Sequence, residues 1–229
     1  MIDPLEYAHW QEWTALAFFI ACWFGYAHYS ELRDKRDDSL FSATNKMRLN
    51  WMREMVAREN RSVDSIIVGN LTRSFTFFAS TSIFVIAALV SMLGYRERVN
   101  AVLVDIPFAR LSDGAFWQMK IFLLIIIFVY AFFKFTWSMR QYNYVNMFIG
   151  SVPDYRERKD EHEAIAQRGA KLTVNAARHF NNGLRAYYFG VAALAWVVHP
   201  YLFIMATMWV VHVTNRREFR SQTMKILNG

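Results

Sequence analysis

AYYFGVAALAWVVHPYLFIMATMWVVHV, residues 186–213, is the stretch on which the fold turns. Its 28 residues carry no formal charge, His199-Pro200 interrupts it near the middle, and Arg216-Arg217-Glu218-Phe219-Arg220 follows almost at once. A bilayer crossing needs about 20 apolar residues, so the stretch is long enough to span. Two readings are open. As one helix of about 42 Å, kinked at Pro200 and tilted, it would deliver the basic tail to the far side. As a re-entrant hairpin turning at His199-Pro200 it would keep the tail on the near side, each arm being about 20 Å long and too short to cross by itself. Proline kinks are common in spans and broken hairpins are rare, so the kinked span is the expectation.

The remaining apolar residues fall in similar blocks. Of 229 residues, 55% are hydrophobic and 17% aromatic, and they concentrate around 12–29, 75–94 and 116–138. Lys120 and Lys134 are the charges within 116–138, both near its ends, where a lysine can snorkel to the headgroups. Four such blocks exceed what the core of a soluble protein uses. Hydrocarbon does not tolerate open backbone, and the period-2 pattern of a barrel is missing. The expectation is an all-α, polytopic integral membrane protein: one membrane domain over 1–229 with four transmembrane helices. Cytoplasmic helical loops of about 30–74 and 139–185 extend them. Residues 1–12 hold Asp3, Glu6 and Glu12 and no Lys or Arg, the reverse of a signal-peptide start, so the first span is expected to stay as an anchor.

Charge sets the orientation. Lys and Arg number nine in 30–74 and eight in 139–185, against none in 1–12, three in 94–115 and four in 214–229. With four spans the positive-inside rule places the N-terminus outside and the long basic loops in the cytoplasm of a bacterial inner membrane, seventeen cations against seven. The hairpin would make that split twenty-one against three.

Within the loops, 43–61 reads as a loosely amphipathic helix, with Met47, Trp51, Met52, Met55 and Val56 on one side. It either lies on the inner leaflet against anionic headgroups or packs beneath the spans. Ser62 is placed to cap a helix reaching about Gly94. Residues 95–115, with Pro107 and Gly114, read as an external connection, and Ser151-Val152-Pro153-Asp154 ends the third long helix.

The polar residues divide into two sets. Thr72, Thr76 and Ser80 recur at i, i+4 and i+8, so they share a face and are candidate lining for a pore, with His199 at the break in the last stretch. The bland reading is helix packing, each hydroxyl bonding its own i−4 carbonyl. The second set, around Arg178-His179-Phe180-Asn181-Asn182-Gly183-Leu184-Arg185, carries amides and two guanidinium forks suited to a carboxylate or phosphate. Small residues at Ala17, Ala21 and Gly25, and at Ala186 and Gly190, mark close helix contacts within or between copies.

Signatures of chemistry are sparse. The lone Cys22 excludes an intrachain disulfide and reads as a buried structural thiol. His199 and His212 lie about 220° apart around a helix, so no cofactor and no metal is expected there. Glu161-His162-Glu163 lacks the second histidine of a zinc helix, and GxSxG, Walker and CxxC patterns are missing, so no catalytic residue is assigned.

Five stretches carry a family resemblance: RLNWMREMVARENRSVDSIIVGN at 48–70, FFASTSIFVIAALV at 77–90, VYAFFKFTWSMRQYNY at 129–144, ARHFNNGLRAYYFGVAALAW at 177–196 and RREFRS at 216–221. In content and order they resemble the domain of unknown function number 599, found in bacterial and plant membrane proteins. The resemblance implies a four-span membrane protein and brings no activity. It directs attention to Arg61, Asn70, Lys134, Gln141, Asn143, His179, Asn181 and Arg185, to which the basic cluster adds Arg178, as a polar lock or a site for anionic headgroups.

The function expected first is a homo-oligomeric channel or passive transporter for small solutes, anions among the candidates. The alternative is a non-catalytic scaffold or accessory subunit of a membrane complex, and the third is a lipid-handling enzyme using His179. Expected partners are the bilayer with anionic lipids at the inner leaflet, further copies of the chain, and another membrane protein; no nucleic acid is expected.

Overall fold

His199 adopts φ −159° and ψ 139°, fully extended, between two long helices, and this one residue sets the architecture. In the computed structural model, residues 6–105, 114–157 and 159–228 are described, and they are helical apart from short connections, with no strand among them. The helices are α1 (Glu6–Lys35), α2 (Leu40–Ala57), α3 (Ser62–Met92), α4 (Arg96–Val104), α5 (Gly114–Ser151), α6 (His162–Val198), α7 (Pro200–Phe219) and α8 (Gln222–Asn228). A single 3-10 turn, Lys159–Glu161, leads into α6.

The stretch 186–213 is not one kinked helix, which corrects the expectation. Residues 199–200 turn the chain back, and α7 returns along α6. Trp196 stacks on Phe203 at 5.0 Å beside the turn. Farther along the arms, Arg217 donates to the Tyr188 hydroxyl at 2.7 Å, and Arg185 pairs with Glu218 at 2.8 Å. In a continuous helix residues 185 and 218 would stand about 50 Å apart. The cause is local. A residue before proline is pushed out of the α region, and Pro200 needs no amide partner at the first position of α7. His199 closes α6 by donating its amide to Ala195 at 3.1 Å, and opens α7 by accepting the Tyr201 amide on Nδ1 at 3.1 Å.

Other ends are built as the sequence directs. Asp37 takes φ 56° in the turn after α1, which aspartate tolerates better than most residues. Ser39 and Ser42 then form a reciprocal capping box at the start of α2, with bonds of 3.0 and 3.2 Å. At α3 the expected cap is not at Ser62: the N-cap position is Arg61, which makes no side-chain cap bond. Asn60 just before it accepts the Ser62 amide at 2.9 Å, and Ser62 is the first residue of the helix. The 95–115 segment holds α4 where a plain connection was expected, and Pro107 lies outside the described residues.

Helix α5 rises about 57 Å over its 38 residues, far more than the roughly 30 Å of a hydrocarbon core. It packs along α3 and α6, and the three overhang together to form two cores. One joins α1, α7 and the adjoining halves of α3, α5 and α6 around Phe19, Ile127, Phe135, Phe189, Trp196 and Phe203. The other joins α2 to the opposite halves around Met52, Met55, Phe75, Tyr142 and Val145, with Phe180 touching both. Helix α2 therefore packs on the bundle through Met52, Met55 and Val56, while Met47 is exposed. Close approach of α5 and α6 depends on Gly183, where a Cβ would stand 2.6 Å from the Phe135 ring.

Two helices, α3 and α5, are long and apolar enough to cross a membrane. The outer surface at that level carries Phe77, Phe84, Ile126 and Phe133, each more than half exposed, an apolar band of the kind that faces a membrane or a partner. These two helices and that apolar surface support a membrane protein.

Candidate functional site

A crevice of about 230 Å³ opens where the end of α1, the start of α2, the middle of α6 and the end of α7 meet. The hairpin creates it, because α7 brings Thr214, Arg217 and Glu218 against Asn181, Leu184 and Arg185. Arg185 forks the Glu218 carboxylate through Nε to Oε1 at 2.8 Å and Nη2 to Oε2 at 3.1 Å. Tyr26 and Ser30 of α1 donate hydroxyls to the same Oε2 at 2.9 and 3.0 Å, and Arg185 also donates to the Ser30 oxygen. Three helices are tied at one carboxylate. Charge-assisted bonds of this kind are about twice as strong as neutral ones.

The other cations of the crevice are arranged differently. Arg48 donates to Thr44 Oγ1 at 2.9 Å and Asn45 Oδ1 at 2.8 Å, and its guanidinium lies 5.6 Å from the Phe41 ring centre. Among the described residues it has no carboxylate within ion-pair distance, and burial pulls its pKa down. Arg217 rests on Tyr188, both as hydrogen-bond donor and 5.3 Å over the ring, also with no carboxylate among the described residues. Asp34 is half-buried with Oδ1 lacking a hydrogen-bond partner, and burial pushes its carboxyl above the usual range. Three guanidinium groups and two carboxylates leave the crevice cationic. A second cavity, about 480 Å³, shares Asp34, Phe41 and Arg185 with it and adds His28, Lys35, Arg178 and Asn182.

The expected site residues separate. Arg185 and Asn181 line the crevice, and Arg178 lines its neighbour, exposed and 5.9 Å from the Phe41 ring centre. Arg61 is a lock: it donates to the carbonyls of Met55 at 3.3 Å, Val152 at 2.5 Å and Pro153 at 2.6 Å, clamping the α2–α3 connection to the end of α5. His179 packs edge-on to Trp137 with Nδ1 unpartnered, and burial with Lys134 and Arg178 nearby lowers its pKa. Lys134 lies 5.1 Å over Tyr130, Gln141 is buried, and Asn70 and Asn143 are exposed.

Thr72, Thr76, Ser80 and His199 do not converge. Thr72 and Thr76 bond the carbonyls of Val68 and Thr72 at 2.9 and 3.0 Å, Thr76 and Ser80 face outward, and His199 sits at the hairpin turn beyond the other end of the bundle core. The expected pore lining is not assembled within one chain, since large aromatic side chains fill its centre. The small residues divide likewise. Ala186 and Gly190 pack inward, Gly190 against Phe128 and Ile127, whereas Ala17, Ala21 and Gly25 face outward.

Lys120 corrects a second expectation. It does not snorkel: it is 1% exposed and pairs with Glu12 at 3.0 Å, while Trp196 donates its indole N–H to the same carboxylate. The sequence reading missed Glu12, Arg48, Arg217 and Glu218. The one available signal was Glu218, the sole acid amid four cations in the tail.

The chain belongs to the family described as Protein of unknown function, DUF599, which matches residues 14–223. No curated protein and no solved structure matches it.

Proposed function

We propose that this chain is a non-catalytic protein of the bacterial inner membrane that takes an anionic ligand into the crevice at the cytoplasmic end of its bundle. In this reading α1, α3 and α5 cross the bilayer and α6 and α7 enter and return as a hairpin, so that five helices fill the membrane. The N-terminus lies outside. Both long loops and the tail lie inside, the arrangement with twenty-one cations against three and the better fit to the positive-inside rule.

One observation carries the binding reading. Arg48 and Arg217 line the same cavity as the Arg185–Glu218 pair, and neither has a carboxylate among the described residues. Guanidinium groups held on aromatic faces, Arg48 half-buried and Arg217 exposed, are suited to a phosphate or carboxylate. The test is thermal melting of the purified chain in neutral detergent, titrated with inorganic phosphate against chloride at fixed ionic strength. A saturable rise in Tm is expected for the wild type, and it should vanish in the Arg48→Gln/Arg217→Gln double variant. No phosphate-specific rise, or an equal rise in the double variant, would overturn the reading.

A second reading, the channel, needs several copies. What favours it is the outward face of Thr76 and Ser80 at the level of the apolar surface of α3, where hydroxyls would line a path only between chains. Flux through liposomes that Ser80→Leu abolishes would support it. Purification as a stable complex with a different membrane protein would favour an accessory subunit instead.

A further inference from the structure

We propose that the ligand of the crevice is an anionic amphiphile, its headgroup held by Arg48 and Arg217 and one acyl chain lying in the cleft between α6 and α7. This rests on the anion-binding reading above and adds the class of ligand.

The cleft, about 180 Å³, continues from the crevice: Tyr188, Thr214 and Arg217 line both. Beyond them its walls are apolar, formed by Val191 of α6 and Trp209, Val210 and Val213 of α7. The hairpin arms are closed at each end, by the Trp196–Phe203 stack near the turn and by the Arg185–Glu218 pair at the mouth. The slot remains between. Arg217 and Trp209 are eight residues apart, so the slot runs about 12 Å along the α7 axis, away from the cations and toward the turn. That is the direction an acyl chain takes from a headgroup into hydrocarbon.

The polar groups at the junction are already engaged. The Thr214 hydroxyl donates to the Val210 carbonyl at 2.6 Å, and the Tyr188 hydroxyl accepts from Arg217. An apolar tail passing from crevice to cleft therefore breaks no hydrogen bond of Thr214 or Tyr188. Val191 is 60% exposed and Trp209 68% exposed, so a chain lying there would cover apolar surface the protein leaves open. A free phosphate would satisfy the arginines but leave the cleft unused. An amphiphile satisfies both.

The experiment pairs two probes on the full chain. Delipidated protein in neutral detergent is titrated with phosphatidylglycerol, with phosphatidylcholine as the uncharged control, and read by native mass spectrometry. Inorganic phosphate is titrated separately by thermal melting. Val191→Trp fills the cleft from an exposed position. It should weaken phosphatidylglycerol binding about tenfold or more, the burial of two or three methylenes, and leave the phosphate effect unchanged. Arg48→Gln/Arg217→Gln should lose both. Val213→Trp, on the opposite wall, is the second variant if Val191→Trp melts early. Phosphate binding with lipid affinity unchanged by either cleft variant overturns the amphiphile while the anion reading stands. Equal binding of phosphatidylcholine overturns it as well. A chain that takes up neither phosphate nor phosphatidylglycerol removes both proposals.

Discussion

Arg185 and Glu218 are separated by 33 residues and joined by a bidentate ion pair, which brings the end of α7 back to the middle of α6. The pair fixes the chain reversal at His199 from a distance of some fourteen residues on one arm and nineteen on the other. It also places the basic tail at the same end of the bundle as α2.

The first prediction follows from that placement. Reporter proteins fused after Gly229 and inserted near Tyr155 should report the same side of the membrane, the cytoplasm, and a reporter at the N-terminus the opposite side. A C-terminal fusion active only outside the cytoplasm would contradict the hairpin.

Glu218→Ala should cost about 2 kcal/mol, because Arg185 is left part-buried without its counter-charge and Tyr26 and Ser30 lose their acceptor. Thermal melting in detergent measures it. Glu218→Gln should recover part of the loss by keeping one carbonyl acceptor.

The Glu12–Lys120 pair is buried to 6% and 1% residue exposure. Removing either partner alone, as Glu12→Met or Lys120→Met, should destabilise by about 3 kcal/mol, since an unpaired buried charge remains. The double variant should be more stable than either single one. A double-mutant cycle giving additive losses would show that the two groups do not interact.

Gly183→Ala tests the contact between α5 and α6. Alanine favours a helix by roughly 1 kcal/mol over glycine, yet its methyl would meet the Phe135 ring at 2.6 Å. Overpacking should win, with a net loss of about 1–3 kcal/mol. Phe135→Leu in the same chain should restore part of it.

Asp34 gives the crevice a pH dependence. Burial first, and Glu218 second among the raising causes, lift its carboxyl above 3.8, against the Ser39 hydroxyl and the Arg185 and Arg178 charges. A raised acid makes the folded state hold its proton longer, so this group's contribution to stability falls as pH rises through the shifted value. Anion affinity moves the same way: protonation removes a negative charge from the crevice. Sulfate, which does not itself titrate in this range, should bind more tightly as the pH falls from neutral through the raised range of Asp34. Asp34→Asn should remove that slope; an unchanged slope would assign it to another group.

Much of the bundle was legible residue by residue. The apolar blocks and the stop after Ser151 are properties of short segments, and each appears where the local rule puts it. The cap expected at Ser62 did not form there, and the capping box at Ser39 was not anticipated. The candidate site was half legible. Arg185 and Asn181 stood in a conspicuous motif, whereas Arg48 and Arg217 looked like ordinary members of basic stretches. Nothing in a linear string marks which arginines will lack a carboxylate.

By itself, then, the sequence determined that this is a helical protein of the membrane, because apolar length and charge asymmetry are read one segment at a time. Whether Pro200 kinks the chain or reverses it was decided only by tertiary structure. The two outcomes differ by the conformation of His199, a local choice of small energy. It is fixed by contacts between residues far apart, Trp196 with Phe203 and Arg185 with Glu218. The same reversal decided that three arginines from α2, α6 and α7 share one crevice, and it sets the Trp196 indole on the carboxylate that Lys120 pairs with, Glu12.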